Sequence, residues 1–222
     1  MVSAIILAGG KGKRMGAKVS KQYIELKGKP ILYYTLTKFI NSNFIDEIIL
    51  VLPKDEIEYC KDNVLYKYSL KVDKIVEGGA ERQDSVFNAL KEVKDSEVVL
   101  IHDGARPFTK DIIIEEGIKY ARLYGAAAPG VTPKDTIKVI DENGFSKFTP
   151  DRNTLVAIQT PQVFKTEIIK ECHKKVKEEG ISVTDDTMVV ERYNNKVYLY
   201  KGDYENIKVT TPEDLILAEK LI

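Results

Sequence analysis

The chain has 222 residues, 43% hydrophobic and 31% charged, an ordinary composition for a soluble globular protein and enough for one α/β domain spanning 1–222. Its 34 Lys and Arg balance 34 Asp and Glu, so no global basic field draws it to nucleic acid or to a membrane, and any preference for anions has to be local. No run reaches the roughly 20 apolar residues of a membrane span, "SAIILA" is too short for a signal-peptide core, and Cys60 and Cys172 match no metal or redox spacing, so the expected setting is the reducing cytoplasm.

In chain order, short apolar runs alternate with longer helical patterns. A buried strand is expected at 4–8, then a helix at 30–41, a strand at 47–52 and a helix at 54–66. Strands at 72–76, 98–102 and 126–131 are interleaved with helices at 82–93 and 111–124. A strand at 157–159 precedes helices at 165–179 and 185–193, a strand at 196–200 and a last helix at 211–221. That last helix has a natural N-cap in Thr211, Pro212 at its first position, and Glu213 and Asp214 in its first turn. The alternation predicts a Rossmann-like, mostly parallel twisted sheet with helices on both faces. Residues 132–155 break the rhythm: "DTIKVI", a turn at "DENG" and then "FSKFT" form a β-hairpin too polar for the sheet, expected to project as an arm.

Chemistry concentrates in three loops. "LAGGKGKRMG" follows the first strand, and five cations (Lys11, Lys13, Arg14, Lys18, Lys21) fall within eleven positions with no acidic residue before Glu25. Glycines let backbone N–H groups approach a ligand, and the charge makes that ligand a phosphate-rich anion. The spacing is neither that of a Walker loop nor a clean G-x-G-x-x-G turn. A dehydrogenase also wants an acidic ribose-binding residue at the end of the second strand, where this chain has "VLPKDE". "EGGAERQDSVFNAL" places Gly78 and Gly79 at a strand end before a helix, with the Ser85 hydroxyl close by. "VVLIHDGARPF" ends a buried strand in Asp103, followed by Gly104 and Arg106. One carboxylate there suffices for Mg²⁺ on a nucleotide. His102, inside the strand, is expected to pack rather than to catalyse.

The first loop, with "SKQYIELKGKPIL" after it, resembles the signature of the sugar-nucleotide-type nucleotidyltransferases. Together with "GGAERQDSV", "HDGARPF", "PKDTIK", "DRN", "QTPQVF", "VTDD" and "NIKVTTPEDL" it resembles the 2-C-methyl-D-erythritol 4-phosphate cytidylyltransferase family over nearly the whole chain. The resemblance implies CTP as co-substrate, Mg²⁺ as cofactor and pyrophosphate as leaving group. It implies that Ala8, Gly9, Gly10 and Gly12 line the triphosphate, with Arg14 and Lys21 on the reacting phosphates. Gly79, Ala80, Ser85 and Gly104 would contact cytosine and ribose, and Asp103 would hold the metal. Asp103, Arg106, Thr136, Arg152, Thr184 and Lys208 would serve the sugar-phosphate substrate, with Arg152 and Lys208 also catalytic. The arm would cross to a second subunit of a homodimer, taking Thr136 and Arg152 into the neighbour's site.

Two positions depart from the family pattern: Ser20 stands where relatives usually have Pro, and Ala80 where some have Asp. Ribitol-5-phosphate cytidylyltransferase shares the loop, the Lys and the arm, and a catalytically silent nucleotide-binding regulator could use the same fold. "HDGARPF", "RQDSV" and "VTDD" lean to the methylerythritol enzyme, and the presence of Arg14, Lys21 and Asp103 together argues against a silent protein.

Overall fold

The computed structural model describes residues 1–10 and 20–222. After β1 (Val2–Leu7) come a minimal hairpin, β2 (Glu25–Leu26) and β3 (Lys29–Pro30), and helix α1 (Ile31–Ile40). β4 (Glu47–Leu52), a helical run containing α2 (Ile57–Cys60), β5 (Lys74–Glu77), α3 (Arg82–Glu92), β6 (Val98–Asp103), α4 (Asp111–Tyr124) and β7 (Ala126–Val131) follow in strict alternation. The remaining elements are β8 (Val139–Ile140), β9 (Ser146–Phe148), β10 (Ala157–Ile158), β11 (Gln162–Lys165), α5 (Thr166–Glu179), α6 (Asp186–Glu191), β12 (Tyr198–Lys201) and α7 (Pro212–Leu221).

The main sheet runs in the order β10-β7-β11-β6-β1-β4-β5, with β12 paired to β7. β1 lies parallel between β4 and β6, β4 is parallel to β5, and β12 is parallel to β7. Side chains alternate across this sheet. Ala4 and Ile6 join one apolar layer with Leu32, Leu36 and Phe39 of α1 and Ile114 and Ile118 of α4. Ile5 joins the other with Val86 and Leu90 of α3 and Ile169 and Val176 of α5. Strands covered on both faces read as continuous apolar runs, which is why β1, β4 and β6 stand out in the sequence. Each fully buried Leu or Ile in these layers contributes roughly 1.5–3 kcal/mol.

The mixed α/β architecture is the one expected, and β4, α4 and β7 have the expected bounds. Three elements differ. β11 was not expected as a strand, yet it pairs antiparallel with both β6 and β7 and closes the middle of the sheet. Its four residues are too few to carry a periodicity, and only its two partner strands define it. The β2–β3 hairpin is shorter still. The helix expected at 54–66 is one helical run of three pitches: a 3₁₀ turn at Lys54–Glu56, α2, and a π-helical stretch at Lys61–Tyr66.

The hairpin expected within 132–155 is present. β8 and β9 pair antiparallel across a bulge, and Asp141 Oδ1 accepts the N–H groups of Asn143 and Phe145 to close the turn. Ile137, Ile140, Phe145 and Phe148 on it are exposed. At the other end of the chain, Thr211 caps α7 as expected, in a reciprocal capping box with Asp214. Cys60 and Cys172 are both buried and unpaired.

Candidate active site

The carboxyl ends of β5, β4, β1 and β6 lie side by side, where open α/β sheets bind ligands. The chain leaving each strand is tied to the strand beside it. Ala8 N donates to Val51 O (2.9 Å), Gly78 N to Leu52 O (2.8 Å) and Gly104 N to Leu7 O (2.8 Å). A Cβ at Gly104 would fall 2.9 Å from the Leu7 carbonyl oxygen and 3.2 Å from Ala8 Cβ, so only glycine lets the loop after β6 pass this close to β1. A Cβ at Gly79 would lie 2.3 Å from Asp84 Cβ, which excludes any side chain at that turn.

Ser85 Oγ accepts the Gly79 N–H (3.0 Å) and donates to Glu81 O (3.1 Å), so its hydroxyl shapes the glycine turn. Glu81 and Asp84 form a capping box that starts α3 immediately after it. Gly9, Gly10 and Ala80 are exposed beside these strand ends, and Ala8 is buried against them.

Asp103, at the last position of β6, organises the charge. Its Oδ2 lies 2.8 Å from Lys208 Nζ and 3.6 Å from Arg106 Nε, and its Oδ1 lies 3.8 Å from Arg82 Nε. Burial by itself would raise the Asp103 carboxyl; Lys208, Arg82 and Arg106 outweigh it and hold the group well below the usual carboxylate range. Arg82 reaches further, to Asp186 Oδ2 (2.7 Å), and Asp186 Oδ1 meets His173 Nε2 (3.1 Å) in the interior. Three cations thus cluster around Asp103, with Arg82 shared with Asp186, and Lys and Arg side chains gathered in this way are suited to holding phosphates.

Lys208 comes from a distant segment, and backbone contacts deliver it. Arg106 Nη1 donates to Asn206 O (2.7 Å), and Val209 N donates to Ala105 O (2.9 Å). Buried Asn206 donates to Thr160 O (2.9 Å) and accepts from Thr109 Oγ1 (3.0 Å). His102, fully buried, packs as expected. An Nε2–H tautomer donates to Arg106 O (3.1 Å), while Nδ1 accepts from Thr160 Oγ1 (3.1 Å), which itself accepts the Asp103 N–H (3.1 Å). Burial lowers the His102 pKa to about 4, so a neutral imidazole props the backbone of Asp103.

The structure thus brings Ala8, Gly79, Ser85, Gly104, Asp103, Arg106 and Lys208 to one set of strand ends. Gly12 and Arg14 lie outside the described residues. Lys21 opens a 3₁₀ turn, Lys21–Tyr23, and its Cε would stand 3.4 Å from a Cβ at Gly10, which puts its side chain against the first glycine loop. Thr184 is exposed, with Oγ1 3.6 Å from Met188 Sδ. Thr136 and Arg152 are exposed and joined to each other, Arg152 Nη2 donating to Thr136 Oγ1 (3.1 Å). Sequence reasoning missed Arg82, Thr160, Asp186 and Asn206, which brace the site. All four lie in or beside the quoted motifs "GGAERQDSV", "QTPQVF", "VTDD" and "NIKVTTPEDL", and no residue-type pattern separates a bracing polar group from a solvated one.

The donor set does not fit a Mg²⁺ ion held by protein alone. Among the described residues no three His, Cys, Asp or Glu come together to hold a metal, and both oxygens of Asp103 face cations that would repel one.

Comparisons with known proteins identify the family. The family model described as IspD, 2-C-methyl-D-erythritol 4-phosphate cytidylyltransferase, matches residues 2–222. A protein of that name from Clostridium perfringens (strain 13 / Type A) is 64% identical over 221 residues, covering 100% of this chain and 98% of its own length. Another of that name, from Clostridium botulinum (strain Eklund 17B / Type B), is 61% identical over 222 residues, covering 100% and 99%. The crystal structure of 4-diphosphocytidyl-2C-methyl-D-erythritol synthase from Anaerococcus prevotii DSM 20548 superposes with a TM-score of 0.88 at 38% identity, over 100% of this chain and 95% of that one. The Francisella tularensis 2-C-methyl-D-erythritol 4-phosphate cytidylyltransferase gives 0.82 at 28%, over 100% and 99%. With matches of this extent in sequence and in fold, this chain belongs to the 2-C-methyl-D-erythritol 4-phosphate cytidylyltransferase family.

Proposed function

We infer that this chain transfers the cytidylyl group of CTP to 2-C-methyl-D-erythritol 4-phosphate, releasing pyrophosphate and forming 4-diphosphocytidyl-2-C-methyl-D-erythritol. The observation that carries the reading is the Lys208–Asp103–Arg106–Arg82 cluster at the carboxyl ends of β1 and β6. A phosphate oxygen of the sugar phosphate attacks the α-phosphorus in line, and the bond from that phosphorus to the pyrophosphate oxygen breaks. The attacking phosphate is already ionised at neutral pH, so no general base is needed. Fittingly, the one histidine near the centre, His102, is buried and neutral.

What the reaction does need is neutralisation of two mutually repelling anions and their alignment. The exposed backbone at Gly9 and Gly10 approaches the triphosphate, and Lys21, with Arg14, stabilises the charge growing on the α-phosphoryl oxygens. The glycine turn at Gly79, with Ala80, Ser85 and Gly104, receives cytosine and ribose. Lys208 and Arg106, held in place by Asp103, meet the sugar phosphate together with Thr184. Mg²⁺ is proposed to arrive with CTP, as part of the co-substrate.

The arm belongs to the same proposal. An isolated two-stranded hairpin is marginal in water, and four large apolar side chains on this one face solvent. A homodimer would cover them and carry Thr136 and Arg152 of each arm to the sugar phosphate in the partner's site. Pyrophosphate release tests the substrate assignment: incubated with CTP and Mg²⁺, the protein should turn over 2-C-methyl-D-erythritol 4-phosphate, and faster turnover of ribitol 5-phosphate would overturn it.

A further inference from the structure

Lys21 sits on a single 3₁₀ turn, Lys21–Tyr23, which has too few hydrogen bonds to hold its own orientation. Both neighbours of Lys21 are fastened to one carboxylate, 34 and more positions away. Ser20 Oγ donates to Glu56 Oε1, and Gln22 Nε2 donates to Glu56 Oε2 (2.7 Å). Ser20 stands at the N-cap of the turn, where a serine hydroxyl commonly accepts a backbone N–H; here it makes no such cap, its hydroxyl being directed to Glu56 instead. The next residue, Tyr23, packs edge-on against Tyr59, one helical turn beyond Glu56, with ring centroids 4.8 Å apart. Gln22 is 1% exposed and Tyr23 8%, so the turn is docked into the protein while Lys21 points toward Gly10.

We propose that Glu56 is a positioning residue for catalysis: its two oxygens clasp the residues on either side of Lys21 and so aim the lysine at the reacting phosphate. This rests on the reading of Lys21 as the group that stabilises the α-phosphoryl charge. A lysine side chain has a flexible four-carbon stem, and the fewer backbone orientations its root can take, the less of its interaction is lost to disorder. Carboxylate acceptors make the clasp stronger than neutral hydrogen bonds would. Glu56 itself touches no substrate; it acts through Ser20 and Gln22.

The backbone of Ser20 supplies an independent handle. Its φ of −61° and ψ of 141° are those of a proline in extended chain, so Ser20→Pro can stiffen the root of the turn without the clasp. The experiment measures kcat, KM for CTP and Tm for Glu56→Ala, Glu56→Gln, Ser20→Ala and the Glu56→Ala/Ser20→Pro double variant, with Lys21→Ala as reference. Glu56→Ala should lower kcat about tenfold with KM for CTP within about twofold, the pattern of a misaimed rather than a missing group. Glu56→Gln, whose amide can accept from Gln22 and donate to Ser20 Oγ, should recover most of the loss, and so should adding Ser20→Pro. Ser20→Ala, which removes one arm without touching Glu56, should lose about threefold; it reads the same clasp should Glu56→Ala fail to fold. The proposal is overturned if Lys21→Ala is strongly impaired while Glu56→Ala and Ser20→Ala keep kcat within twofold of wild type. It is equally overturned if the kcat loss follows the loss in Tm and neither Glu56→Gln nor Ser20→Pro restores it. If Lys21→Ala itself keeps its kcat, the reading of Lys21 falls, and this proposal with it.

Discussion

The strand ends and the arm carry candidate residues for the same reaction, and they are built in opposite ways. At the strand ends Asp103 is 8% exposed, flanked by three cations and propped from behind by His102 and Thr160. There Lys208 and Arg106 are held by the buried Asp103. On the arm, Thr136 and Arg152 are exposed, and the hydrogen bond between them joins the two ends of the hairpin. The first region is preorganised by its own fold, so its charges need little rearrangement when phosphates bind. The second presents a hydrogen-bonded pair of exposed residues on a hairpin whose large apolar side chains face solvent.

Four experiments break or sharpen that contrast. Lys21→Ala should lower kcat more than it raises KM for CTP, by roughly 10²–10³-fold or about 2.7–4 kcal/mol, because the charge it meets grows in the transition state. A variant with near wild-type kcat would remove Lys21 from the chemistry.

Second in size is an effect of acid on stability. His102 is neutral in the folded protein, its pKa lowered by burial from 6.5 to about 4. Between those values the unfolded chain binds a proton that the folded chain does not, so the contribution is fully present above pH 6.5 and lost as pH falls toward 4. The loss should reach about 3 kcal/mol. Urea unfolding at pH 7 and pH 4.5 should show it, and His102→Gln should abolish that part of the pH dependence. An unchanged pH dependence in the variant would mean that His102 does not carry it.

Third, Asp103→Asn frees Lys208 and Arg106 from their brace. KM for the sugar phosphate should rise about ten- to a hundredfold, while the Mg²⁺ titration keeps its midpoint. A shifted Mg²⁺ midpoint with an unchanged KM would instead make Asp103 a metal ligand, the role that the family resemblance implies.

The smallest effect tests the arm. Lys21→Ala and Arg152→Ala should each be inactive alone, but mixing them lets a hybrid dimer assemble one intact site. With random exchange of subunits, about a quarter of wild-type activity should return. No recovery after verified exchange would mean that the arm serves its own subunit's site.

Legibility in the sequence followed the same division. β1, β4 and β6 were readable because each is an apolar run covered on both faces, and Thr211 announced α7 by capping chemistry. Gly78 and Gly79 were readable as a glycine turn at a strand end, but the close packing that requires glycine at Gly79 and Gly104, against Asp84 and the Leu7 carbonyl, was not. β11 was not readable, since a four-residue strand is made by the partners on its two edges. Nor was the role of Arg82, Thr160 and Asn206, whose polar groups look like any others until their buried partners are seen.

The sequence by itself therefore determined the layered α/β plan, the glycine turns, the hairpin and the residue types for handling phosphate. Those are local matters of periodicity, steric room and charge, and they can be read within a few positions. Tertiary structure alone decided that Asp103 is also clasped by Lys208 and Arg82, about a hundred and about twenty positions away along the chain, beyond its local partner Arg106. It alone decided that Glu56 grips both flanks of Lys21. Such contacts depend on which strand ends the fold brings side by side, and no local pattern of side chains encodes that meeting.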